Sequence, residues 1–246
     1  MIEVNDLTKV YGATVAVDGV SFQVALGEIV GFVGCNGAGK TTTMRILTSF
    51  AAATRGEAYV GGHHVFWASD EVRRIVGYLP ENTPLYPDLR VWEYLMFRAR
   101  LKEVPACLRK RRVAECIGRC GLDGVRRRVI GQLSKGFRQR LGLADALVGD
   151  PKVLILDEPT VGLDPNQVRD TRDLIRELGE TRTVLLCTHI LPEVERICAR
   201  TIVIDGGKIV ADQPTAELRK RSGTDERLED VFVRLTAGAA REGAGE

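Results

Sequence analysis

The chain has 246 residues, and its 35 Lys and Arg nearly cancel its 33 Asp and Glu, leaving a formal charge of +2. With 44% hydrophobic and 28% charged residues it has the balance of a globular protein able to bury a sizeable core, and near-neutrality argues against a generic nucleic-acid binder. Its longest apolar runs, VLIL and TVLLC, are strand-length and fall short of the ~20 residues of a membrane span. The start, MIEVNDLTKVYG, lacks the basic, apolar and small-residue order of a secretory signal, so a cytosolic chain is expected. Six cysteines are scattered; Cys116 and Cys120 share a helix face without a second pair, so reduced, packed thiols are expected.

In chain order, Ile2 to Val24 predicts two antiparallel strands, IEVNDLTKVYG and TVAVDGVSFQV. EIVGFVG is a compact apolar strand, followed by a glycine-rich turn and the helical TTTMRILTSF. EAYVGGHHV reads as a short strand with a glycine turn, and His63 and His64 within it as surface turn residues. VRRIVGYLP is a helix end leading into a strand. From Val91 to Leu122 apolar residues recur at helical spacing among many arginines, and a further helix spans Ser134 to Val148, which together predict a helical insertion over 83–149. KVLILDEP and TVLLCTH are fully apolar strands around the helix NQVRDTRDLIREL, so a parallel sheet with right-handed crossovers is expected. TIVIDGGKIVADQ is a hairpin, and the Gly/Ala-rich tail from Ala237 is expected to be disordered.

The chemistry begins at GCNGAGKTT, Gly34 to Thr42, which follows a predicted strand and opens a predicted helix, as a phosphate-binding loop must. Gly34, Gly37 and Gly39 let the backbone of Cys35, Asn36 and Ala38 turn its N–H groups inward around phosphates; Lys40 reaches them, and Thr41, next to Thr42, offers a hydroxyl to magnesium. VLILDEP supplies the second half: Asp157 and Glu158 emerge at the carboxyl end of a buried strand, the first to hold Mg²⁺ and the second to polarise the attacking water. Ser134 opens its helix as a cap, with Lys135, Gly136 and Phe137 in the first turn, an arrangement that leaves N–H groups open to an anion.

With these motifs in place the chain resembles the ATP-binding subunits of ATP-binding cassette (ABC) transporters. Tyr11 matches the aromatic residue that stacks on adenine, GYLPEN the Q-loop, LSKGFRQR the signature, VLILDEP the Walker B strand, GLDP the D-loop, and His189 the switch histidine. The resemblance implies an α/β fold: a P-loop NTPase core with a mostly parallel sheet, an N-terminal antiparallel β-subdomain (1–82 and 150–212 together), a helical signature subdomain at 83–149, a C-terminal extension at 213–236 and a tail at 237–246. It also implies a head-to-tail pair, as a homodimer, in which each ATP lies between one subunit's phosphate loop and the other's Ser134, Lys135, Gly136 and Phe137, with Asp164 beside the opposite site. His189 then contacts the γ-phosphate, and the cycle drives a separate membrane permease from the cytoplasmic face, with no nucleic acid involved.

Two departures stand out. The Q-loop glutamine is Glu81, a carboxylate still able to ligand the metal but adding charge beside the phosphates. Within the signature, Lys135 and Phe137 replace a glycine-type residue and a glutamine; Lys135 is read either as tuning dimer closure or as neutral. YLPEN with LSKGFRQR, and the late RLEDVFVRL, resemble an exporter-type branch that includes gliding-motility and copper-processing groups. Cys35 is either a redox-sensitive thiol or an incidental small residue. Lys110–Arg112 and Arg126–Arg128 read as solvated faces, with lipid headgroup contact as the alternative. A soluble ABC ATPase acting on ribosomes or DNA is the alternative function, and a regulator that binds ATP without turnover a third. The proline and aromatic residues from Glu81 to Tyr94 are expected to face the permease.

Overall fold

The computed structural model describes residues 1–220 and 227–242. The chain begins with β1 (Ile2–Tyr11) and β2 (Thr14–Val24), then β3 (Ile29–Val33), the helix α1 (Lys40–Leu47), β4 (Arg55–Val60), β5 (His63–His64), α2 (Ser69–Ile75) and β6 (Val76–Leu79). Three helices follow: α3 (Val91–Leu101), α4 (Ala106–Arg119) and α5 (Lys135–Leu147). The chain then alternates through β7 (Val153–Asp157), α6 (Pro165–Gly179), β8 (Thr183–Thr188), α7 (Leu191–Ile197), β9 (Arg200–Asp205) and β10 (Lys208–Pro214), and ends in α8 (Thr215–Arg219) and α9 (Leu228–Glu242).

Two sheets form. β2, β1, β4 and β5 make an antiparallel sheet in that order, while β10, β9, β3, β8, β7 and β6 make a sheet that is parallel except for β10. The apolar strands are buried on both faces, because alternate side chains point to opposite sides. Val153, Ile155, Leu185 and Cys187 enter a core shared with the antiparallel sheet and α1, where Phe22 and Phe32 meet. Leu154, Leu156, Val184 and Leu186 join the opposite core, which continues into Tyr94, Leu95, Ile117, Leu141 and Ala144 of the helical subdomain.

The helix α9 is assigned to Glu242, and residues 243–246 of the Gly/Ala-rich tail lie outside the described residues. One expectation needs correction. His63 and His64 are not turn residues: they form β5, paired with Val60 and Tyr59. His64 Nδ1 accepts the amides of Phe66 and Trp67 at 3.1 and 3.2 Å, and its ring meets those of Tyr59 and Trp67, so it holds the turn that follows. Cys116 and Cys120 are buried free thiols, the first pushed up to about 11 by desolvation and the second raised further.

Candidate active site

The carboxyl ends of β3, β7 and β8 converge on one cleft of about 370 Å³. From the phosphate loop, Asn36, Gly37, Gly39, Lys40, Thr41 and Thr42 line it; Glu81, Asp157, Glu158 and His189 close the other walls. Sequence forces the loop's shape at three points. Gly37 and Gly39 have φ of 83° and 105°, values that a side chain resists, and a Cβ on Gly34 would strike the carbonyl of Ile204. Lys40, 7% exposed, donates to the carbonyls of Gly34 and Cys35 at 2.8 and 3.1 Å, drawing the loop around its own ammonium. Ala38 is buried behind the loop and Cys35 is exposed on its outside.

Asp157 and Glu158 are adjacent yet serve opposite environments. Both carboxylate oxygens of Asp157 are buried and, among the described residues, neither meets a donor in good hydrogen-bonding geometry; burial raises its pKa above the ordinary value, and the nearby Thr41 and Cys187 offset only part of that rise. An unpaired buried carboxylate is costly unless a cation meets it. Together with the Thr41 hydroxyl in the same cleft, this hard oxygen set fits Mg²⁺ shared with phosphates, and Glu81 stands at the same wall.

Glu158 instead is fully engaged. Its backbone sits at φ 51°, unusual for a residue with a side chain, held by its amide donating to Cys187 O at 2.8 Å. Thr188 Oγ1 donates to Oε2 at 2.9 Å; the His189 amide donates to Oε1 at 3.1 Å, and His189 Nδ1 lies 2.6 Å from that same oxygen. With Glu158 ionised, that separation requires the proton on Nδ1. The carboxylate is 5% exposed, whereas the His189 side chain is half exposed toward the cleft. A base held by a hydroxyl, an amide and an imidazole is oriented before any substrate arrives.

Other expected site residues lie elsewhere. Tyr11 ends β1 apart from the cleft lining, half exposed with the Lys9 ammonium 4.9 Å above its ring. Ser134 caps α5 but lies outside the cleft; its Oγ accepts the Phe137 amide at a long 3.4 Å. Phe137 packs on the helical core, Lys135 lies over Gly162, and Gly136 is pressed against the Gln167 side chain, where a Cβ would clash. Asp164 caps α6, accepting from Asn166 and Gln167 amides at 3.0 Å each.

Sequence reasoning missed two supports. Gln139, buried on α5, donates from Nε2 to the Glu158 carbonyl at 3.2 Å, tying the signature helix to the catalytic strand end. Thr188 fixes the second Glu158 oxygen. Each was visible only as a polar residue out of place, Gln139 on an otherwise apolar helix stripe and Thr188 at the end of a wholly buried strand.

This geometry is matched by known proteins. Residues 17–161 match the ABC transporter family model. The chain is 37% identical over 224 residues to the bacitracin transport ATP-binding protein BcrA of Bacillus licheniformis, covering 90% of this chain and 72% of that one. It is 38% identical over 240 residues to the daunorubicin/doxorubicin resistance ATP-binding protein DrrA of Streptomyces peucetius, covering 96% and 73%. A solved ATP-binding subunit of an ABC transporter superposes with a TM-score of 0.88 at 29% identity over 96% of this chain and 99% of that one. A dimeric post-hydrolysis state of the ATP-binding cassette MJ0796, bound to ADP and Pi, gives 0.81 at 26% identity over 87% and 98%. A phosphate loop, a buried acidic strand end and an oriented base in one cleft, on a cassette fold, leave one conclusion: the chain belongs to the ABC transporter family, as an ATP-binding, ATP-hydrolysing subunit.

Proposed function

We propose that this subunit energises export through a separate membrane permease, working as a head-to-tail homodimer at the cytoplasmic face of the membrane. The observation that carries the dimer is the incompleteness of the cleft. Lys40, Asp157 and Glu158 line it, whereas Ser134 and its uncovered helix end stand outside it; a second copy, reversed, brings that helix end to the γ-phosphate. Export is supported by the bacitracin transport and daunorubicin/doxorubicin resistance roles named for the two relatives.

In this reading Lys40 and the loop amides bind the phosphates, and Glu158 takes the proton of the attacking water while Thr188 and His189 hold its carboxylate in line. Thr41 and Asp157, with Glu81 near, would hold Mg²⁺, which would supply charge neutralisation for the phosphates. Tyr11 supplies the adenine platform. Cys35 contributes only its backbone to the loop.

The permease contact fits the groove of about 330 Å³ between core and helical subdomain, lined by Arg45, Phe50, Tyr78, Pro80, Glu81 and Tyr94 among others. Phe50 is 77% exposed there, and Tyr94 and Arg98 share Asp145 at 3.0 and 2.6 Å, a buried network that stiffens one wall. Glu81 lines both groove and cleft, which links the permease to the nucleotide. Glu158→Gln tests the scheme: turnover should fall about 10²- to 10⁴-fold, and the variant should run at twice the monomer mass on a sizing column in MgATP. A variant that stays monomeric in MgATP refutes the paired site.

A further inference from the structure

The charge of the chain is unevenly placed. Residues 83–149 carry fifteen Lys and Arg against six Asp and Glu, a surplus of nine, while the remainder has 20 against 27. Much of that surplus is neutralised locally: Arg98 pairs with Asp145, Arg112 with Asp150, Arg119 with Glu177 and Arg140 with Asp170, at 2.6, 2.7, 2.7 and 3.1 Å. Arg126, Arg127 and Arg128 are different. All three are exposed, and among the described residues their side chains have neither an ion pair nor a hydrogen bond.

Their backbone is nevertheless fixed. Trp92 and Val91 amides donate to the carbonyls of Arg126 and Arg128 at 2.9 and 3.1 Å, Ile130 and Gly131 amides donate to Leu89 and Pro87 at 2.9 Å each, and Arg90 Nη1 donates to Arg127 O at 2.6 Å. The triplet is therefore displayed from a two-ply ribbon joined to the segment that follows the Q-loop. Beside it lies a recess of about 430 Å³ walled by Arg90, Trp92, Glu93, Arg126 and Arg127, with Trp92 half-buried at its base.

We propose that this ribbon binds the anionic headgroups of the membrane in which the permease sits. Exposed guanidiniums around an indole are the side-chain set of a membrane interface, and neighbouring cations without ion-pair partners suit a continuous anionic sheet. The ribbon adjoins residues 81–94, so its orientation toward the bilayer rests on the permease docking proposed above. The test uses the subunit alone, so its outcome stays readable if that docking is wrong.

Purified protein is sedimented with vesicles of phosphatidylcholine, plain or with about one third phosphatidylglycerol. Wild type should bind the anionic vesicles, not the plain ones, and release at high salt. At roughly fivefold per arginine, the triple variant Arg126→Gln/Arg127→Gln/Arg128→Gln should lose partition about a hundredfold, with basal ATPase unchanged as the control for folding. A charge-matched variant elsewhere on the subdomain, Arg100→Gln/Lys110→Gln/Arg111→Gln, should keep most of the binding. Equal binding to both vesicles, no binding, a triple variant that binds like wild type, or an equal loss in the charge-matched variant each overturns the proposal. If vesicles are ignored but the triple variant no longer co-purifies with the permease, an acidic permease segment is the partner and the lipid assignment fails.

Discussion

The phosphate-loop wall and the signature helix end are both N–H-rich devices for an anion, yet they are built in opposite ways. The loop is cross-braced by its own chain: Lys40 is tied to two loop carbonyls, Gly207 donates to Ala38 O at 3.1 Å, and Gly34 abuts Ile204. The signature end has one long capping bond and otherwise leans on the D-loop side of the same subunit, through Gly136 on Gln167 and Lys135 over Gly162. One wall is braced within its own subunit, whereas the other, in the head-to-tail pair proposed above, would become a site only across the interface. In that proposed pair, preorganisation would reside in the loop half and adjustability in the half that docks and releases.

Three experiments probe that contrast. The largest effect should come from Asp157→Asn, which removes the unpaired carboxylate: MgATP turnover should fall by orders of magnitude. Because burial raises the native pKa of Asp157, the folded protein holds that proton more tightly than the unfolded chain. The ionised group therefore costs stability in full above the native pKa, and the cost fades as pH falls from the native toward the unfolded value, below which it is gone. The variant should accordingly melt higher at neutral pH without Mg²⁺, by about 1 kcal/mol or roughly 2–4 °C, and wild-type Mg²⁺ affinity should fade on acidification at a higher pH than an ordinary aspartate dictates. A lower melting temperature would show that the braced wall does not carry the strain assigned to it.

Ser134→Ala should act on the other wall alone. Turnover and ATP-driven pairing should drop about ten- to hundredfold, while a fluorescent nucleotide binds the monomer as before; a parallel loss of monomer binding would erase the distinction. The smallest effect belongs to Asp164→Ala, which deletes the cap of α6. Thermal unfolding should show a loss of about 1 kcal/mol, and a slower ATPase at saturating ATP would add a role across the pair to the structural one.

Much of this was legible where a local rule dictates the residue. The glycines of the phosphate loop, the acidic pair ending an apolar strand and the serine cap each declare themselves within a few positions, since the backbone geometry they serve is local. The alternating cores of β7 and β8 likewise follow from unbroken apolar runs. What escaped depends on distant partners. Gln139 meets Glu158 nineteen positions away and Thr188 reaches it across thirty, so neither spacing nor type announces the contact. The placement of α9 depends on distant contacts in the same way, since Leu228 and Val231 are buried against the core.

The strand β3 lies between β8 and β9, so the phosphate loop it carries is framed by residues synthesised some 150 positions later. The Ile204 carbonyl limits Gly34, and the Gly207 amide closes on Ala38. On the ribosome, a chain that emerges from its N-terminus displays GCNGAGKTT long before it owns the strands that shape it. A chain ending before β9 carries the motif without the Ile204 and Gly207 contacts that frame the loop.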